Sequence, residues 1–207
     1  MKKIMFNDRY GLTKAVLEGT KTMTRRVIPE LLNVEDPDIS EWGLTDGGKA
    51  MITLYEGGRP TTDIFPMYQP GEVVAVAQKY IDLKDCDAFY EALHKNDPYM
   101  PLECIRGEKG AYNKMFAKAA WMPHQIRITD IKVERLQDIS DEDCMNEGVL
   151  WDYDDYPFMS RKVYFINDYE AFPTPRAAFA SLINRVCGKS TWEFNPYVFA
   201  YSFKLIK

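Results

Sequence analysis

The segment Glu18-Gly19-Thr20-Lys21-Thr22-Met23-Thr24-Arg25-Arg26 packs three cations and three hydroxyls into residues 20–26, and the reading of the chain turns on it. Gly19 is the expected stop of a helix that starts from a cap at Asn7 or Asp8 and carries Leu12, Ala15 and Val16 on one face. A segment leaving a helix end turns sharply and can aim its side chains into a cleft. An amine beside two guanidiniums gives up its proton more readily, because neighbouring positive charge disfavours the ammonium. Lys21 is therefore a candidate base, and Thr24, three residues on, a candidate nucleophile. The same residue types also serve a plainer purpose: cations after a helix end satisfy its carbonyls and macrodipole, and clustered hydroxyls build turns.

Gly19 to Arg26 resembles the G-x-K-T-x-T-x-R element of ASCH domains, a branch of the PUA-like superfamily of bacteria and their phages. Three further stretches follow in the family's order. Pro70-Gly71-Glu72-Val73-Val74-Ala75-Val76 is similar to its G-D/E-x-hydrophobic strand. Ile126 to Gly148 resembles its long strand and short acidic helix ending in Glu-Gly, and Asn195-Pro196-Tyr197 to Lys204 its closing strand. The four patches cover about a third of the chain. The fold that the resemblance implies is α+β, a small PUA-like β-barrel with flanking helices, over residues 1–207 as one domain. Insertions are expected at about 29–69 and 82–118.

Composition narrows the setting. The chain has 207 residues, 46% of them hydrophobic, enough for a substantial core. A formal charge of -5 is the wrong sign for indiscriminate binding to a phosphate backbone, so contact with nucleic acid must be local. Cys86, Cys104, Cys144 and Cys187 form no C-x-x-C, and with His94 and His124 they meet no zinc template, so no metal or other cofactor is expected. The apolar run Ile4-Met5-Phe6 is too short for a signal peptide, and Val73 to Ala77 too short for a membrane span. The expectation is a cytoplasmic protein without membrane contact.

Local patterns predict the other elements. Residues 29–69, broken by Pro29 and Pro37, by the acids Glu35, Asp36 and Asp38, and by two Gly pairs, read as a small strand meander. Gly71 to Tyr80 reads as a strand covered on both faces. It leads to Gln78, where ASCH proteins often carry Glu; that departure removes an ionisable group. A helical piece is expected around Asp87 to Lys95. In Ile126 to Leu136 the apolar alternation slips by one step at Thr129-Asp130. Ser140 caps a short helix with acids over its positive end, closed by Glu147-Gly148. A carboxylate at a helix C-terminus opposes the dipole, so helix physics leaves Glu147 unexplained. Trp151 to Phe158, which alternates aromatics and acids, reads as a loop over the cleft. Thr174-Pro175 opens a helix with Ala178, Phe179, Leu182, Ile183 and Val186 on one face and Gly188 as its stop. The final strand places Tyr197, Phe199, Tyr201, Phe203 and Leu205 on one face.

Some small ASCH members hydrolyse the acetamide of N4-acetylcytidine with a lysine, a threonine and a glutamate. Those roles fall on Lys21, Thr24 and Glu147. The resemblance implies that Thr24 attacks the amide, Lys21 moves its proton, and Glu147 orients the amine or protonates the leaving nitrogen. Arg26 and Arg25 are the expected contacts for an oxyanion or a phosphate, with Thr22 beside them, and Trp121 and Tyr80 the expected stacking partners for a base. The competing expectation is a non-catalytic module that holds a nucleoside, a modified base or single-stranded RNA in the same cleft. A third is an accessory protein whose insertions bind another protein.

Overall fold

The apolar run beginning at Val73 forms a strand in which Val74, Ala75 and Val76 are fully buried, as a segment covered on both faces must be. The computed structural model describes residues 1–32, 34, 37–45, 47–156, 159–166 and 170–206. In chain order, its first elements are β1 (Lys3–Ile4), α1 (Leu12–Leu17), β2 (Met23–Val27), β3 (Asp38–Leu44), β4 (Ala50–Glu56), β5 (Arg59–Ile64), β6 (Val73–Val76) and α2 (Asp87–Asn96). There follow β7 (Gln125–Arg135), α3 (Asp141–Asn146), β8 (Leu150–Tyr156), β9 (Met159–Phe165), β10 (Ala171–Phe172), α4 (Pro175–Cys187), α5 (Thr191–Phe194) and β11 (Tyr197–Ile206). The class is α+β. Among the described residues no set of strands closes into a barrel, so the closed barrel expected from the sequence is replaced by open sheets.

Contacts gather the chain into two compact units. The first comprises Met1–Gly19, Glu72–Arg127 and Lys204–Lys207, and the second Thr20–Gly71 and Ile128–Phe203. In the first unit β6 lies between β1, parallel to it, and β7, antiparallel, with Lys3 opposite Ala75 and Ile126 opposite Val74. α2 falls where residues 82–118 predict a helical piece and buries Phe89 and Leu93, four positions apart on one face. They join Tyr80, Leu83, Ile105, Trp121 and Met122 in the core of this unit. Lys114 ties the N-terminal segment down through the Phe6 carbonyl, through Asp8 Oδ1 at 2.6 Å and through Thr13 Oγ1 at 3.1 Å.

In the second unit β11 pairs antiparallel with β2, setting Ala200 opposite Arg25 and Tyr201 opposite Thr24. Val198, Phe199, Ala200 and Tyr201 are all buried, so β11 is covered on both faces. Along β7 the consecutive exposed residues Thr129 and Asp130 mark the change of phase expected there. Residues 38–64 form the three-stranded antiparallel meander β3-β4-β5. α4 starts at Thr174, whose hydroxyl accepts from Ala177 N, and buries Ala178, Phe179, Leu182 and Ile183. Val186, expected on the same core face, is instead exposed in the last turn.

The stretch from Trp151 corrects one expectation. It is no loop: Leu150–Tyr156 forms β8, paired in register with β9 from Leu150 opposite Phe165 to Tyr156 opposite Met159. An alternating pattern of period two is a strand pattern, and a partner strand was present to complete the ladder. Pro157 and Phe158, like Glu35 and Asp36, lie outside the described residues.

Candidate functional site

The motif segment enters the second unit immediately after Gly19, whose φ of 77° is a turn that a side chain would strain. Thr22 fastens it in place. Its backbone N–H donates to the Asn146 carbonyl at 2.8 Å, its hydroxyl donates to Asn146 Oδ1 at 3.3 Å, and its carbonyl accepts from Phe203 N at 2.8 Å. These bonds lay residues 21–25 against the end of α3. That helix is built as expected: the Ser140 hydroxyl accepts from Asp143 N at 3.0 Å, three acids occupy the first turn, and Glu147 caps its C-terminus. Four residues apart, Asp143 and Glu147 share one helix face.

Lys21 Nζ donates to Glu147 Oε2 at 2.6 Å and to the Glu147 carbonyl at 2.7 Å, with both side chains almost wholly buried. Arg25 is enclosed by carboxylates. Its Nη1 donates to Glu147 Oε1 at 3.1 Å, its Nη2 to Asp143 Oδ2 at 2.8 Å and its Nε to Glu134 Oε1 at 2.8 Å, while the guanidinium carbon lies 6.0 Å from the centre of the Phe179 ring. Lys132 closes the group, 2.6 Å from Asp143 Oδ2 and 3.1 Å from Glu134 Oε2. Lys132 and Glu134 lie two apart on β7 and so face one side of it. Lys21, Arg25 and Lys132 thus balance Glu134, Asp143 and Glu147, and the buried members Lys21, Arg25 and Glu147 need that balance to offset their desolvation.

Charge state follows from the same contacts. Burial pushes the Lys21 amine below its ordinary value of 10.5; Glu147 opposes this, and Arg26 and Arg25 add to it. For Arg25 burial acts downward too, but Glu147 and Glu134 outweigh it and hold the guanidinium firmly charged. Cys144, buried beside this group, has its thiol pushed up to about 12 by burial, which rules it out as a nucleophile at neutral pH.

The sequence-derived candidates therefore separate. Lys21 and Glu147 meet directly. Thr24 is buried in β2 opposite Tyr201, and the alternation of a strand puts its side chain on the face away from Arg25 and with Arg26. Arg26 is exposed. Arg25 needs correcting as an expected oxyanion or phosphate contact: its donors are committed to three carboxylates inside the fold. Tyr80 and Trp121 need correcting as stacking partners, because they are 1% and 2% exposed in the core of the first unit. Their rings pack on each other at 5.2 Å, and the Tyr80 hydroxyl accepts from Lys118 N at 2.8 Å. Gln78 bonds His124 Nδ1 through its amide oxygen at 2.7 Å. Sequence reasoning missed Lys132 and Glu134, although charged residues alternating with Ile131 and Val133 were a legible sign of a polar strand face. Among the described residues, no group of His, Cys, Asp and Glu is placed to hold a metal ion, and no helix is long and apolar enough to cross a membrane.

No protein-family model matches this chain, and no curated protein or solved structure matches it either.

Proposed function

We propose that this chain is a PUA-like protein of the ASCH type, cytoplasmic, which takes a pyrimidine nucleoside, free or within RNA, and hydrolyses the amide of an N4-acylated cytidine. The observation that carries the reading is the buried contact of 2.6 Å between Lys21 and Glu147, in a segment that also supplies Thr24. In this reading Thr24 Oγ attacks the acyl carbonyl carbon and its proton passes to the Lys21 amine. Glu147 holds that amine in place. Collapse of the tetrahedral adduct breaks the C–N4 bond, the N4 nitrogen leaves with the proton carried by the Lys21–Glu147 pair, and water then releases the acyl group from Thr24. Arg26 faces the developing oxyanion or a phosphate of the substrate.

A second reading has its own support. The Lys21 amine donates to two oxygens of Glu147 within a charge-balanced cluster, an arrangement that holds the amine in a structural contact and suits a module that holds a base without chemistry. Incubation with N4-acetylcytidine separates the two. Release of cytidine by the parent and by neither folded variant, Lys21→Ala or Thr24→Ala, supports the hydrolase; tight binding without release supports the module.

A further inference from the structure

The face of β2 that carries Thr24 and Arg26 is walled by aromatic rings. Register places Tyr201 beside Thr24 and Phe199 beside Arg26 on that face. Tyr68 meets Tyr201 edge-on at 5.5 Å, and Trp42 of β3 lies 6.3 Å from Phe199 between ring centroids. Tyr68, Phe199 and Tyr201 are 4%, 5% and 1% exposed and can offer no ring face to a solute, whereas Trp42 is 40% exposed. An accessible indole thus stands next to the strand position of an exposed guanidinium and two positions along from a buried hydroxyl. The combination fits a ligand with a flat π-face and an anionic or strongly polar edge.

We propose that Trp42 is the residue on which the pyrimidine base of the ligand stacks, with Arg26 at its sugar-phosphate side. This rests on the nucleoside reading above and names the contact that selects a planar base. Indole is a large stacking surface, and every base has a π-face to set on it. Trp42 belongs to the meander of residues 38–64, outside the four stretches that carry the resemblance, so this chain supplies the contact through its own added segment.

The test uses the full chain as Thr24→Ala, which keeps the ligand intact, titrated with N4-acetylcytidine and with a short cytidine-containing RNA. Indole fluorescence is read against Trp42→Phe, since the chain holds four tryptophans. Trp42→Ala is expected to weaken binding by about 5- to 100-fold, and Trp42→Phe to recover most of it. With Thr24 restored, Trp42→Ala raises KM and leaves kcat within about threefold, the mark of lost ground-state binding. Trp42→Thr, well tolerated in a strand, replaces Trp42→Ala if that variant does not fold. Unchanged affinity in a folded Trp42→Ala or Trp42→Thr chain that still hydrolyses overturns the role of Trp42 and spares the hydrolase. Trp42-dependent binding without hydrolysis upholds Trp42 and overturns the hydrolase. Failure to bind either ligand overturns both.

Discussion

Lys21 Nζ and Glu147 Oε2 lie 2.6 Å apart although 126 positions separate the two residues in sequence, and the Glu147 carbonyl accepts from the same amine at 2.7 Å. The carboxylate that sits unfavourably at the end of α3 thereby finds its partner. Two acceptors on one residue also fix where the amine points. Arg25 holds the other carboxylate oxygen, so Glu147 is clamped from both sides.

If Lys21 is the base, hydrolysis of N4-acetylcytidine must rise with pH as the amine loses its proton. Burial and the nearby Arg26 and Arg25 place the midpoint below the ordinary lysine value of 10.5. The pH-rate profile of the parent is expected to show that rising limb. A flat profile across the same range excludes Lys21 as the base.

Arg25 organises the cluster from within. Arg25→Ala leaves the buried Glu147 and the partly buried Glu134 and Asp143 with no guanidinium between them, and is expected to lower stability by about 3–5 kcal/mol in urea unfolding. A loss below about 1 kcal/mol would show that water or rearrangement relieves the carboxylates, Glu147 included, and that Arg25 does not organise the cluster.

Acid stability depends on Asp143. Burial raises its carboxyl, but the hydrogen bonds from Lys132 and Arg25 outweigh that and hold it below the ordinary 3.8. The unfolded chain therefore takes up this proton first as pH falls. The stabilisation is complete above about pH 3.8 and is lost as pH drops through the lower folded value. Asp8, paired with Lys114, behaves alike in the first unit. Chemical denaturation between about pH 5 and pH 2 should show a smaller loss of stability in Asp143→Asn than in the parent; equal losses would remove Asp143 from the account.

The core of the first unit is tested at Gly110. A Cβ there would lie 2.5 Å from Tyr80 Cε2 and 2.6 Å from Cζ, against a ring stacked on Phe89 at 5.6 Å. Gly110→Ala is expected to cost about 1–3 kcal/mol through this overlap. Gly107→Ala, where nothing lies within 4 Å of the added carbon, is its control and should stay within about 0.5 kcal/mol of the parent in thermal melts.

Local patterns were legible along the chain. The apolar run of β6, the Ser140 cap, the Thr174 start of α4 and its buried face, and the phase slip in β7 all follow from side-chain period and capping within a few residues. Two local patterns differ: Trp151 to Tyr156 has the alternation of a strand, and β9 supplies its ladder, while Asn7 caps a short 3-10 turn and α1 starts after Gly11. Which charges meet was settled by tertiary structure alone. Arg25 and Arg26 are neighbours of one chemical type, yet strand alternation turns one toward Asp143 and Glu147 and sets the other on the opposite face of β2, beside Phe199. Tyr80 and Trp121 read as available aromatics, and only the packing of α2 against them shows that they are core. The sequence by itself determined the residue types of the motif and the helix that ends in Glu147. Their meeting required the Thr22–Asn146 bonds and the β2–β11 register, contacts between distant segments that no local periodicity encodes.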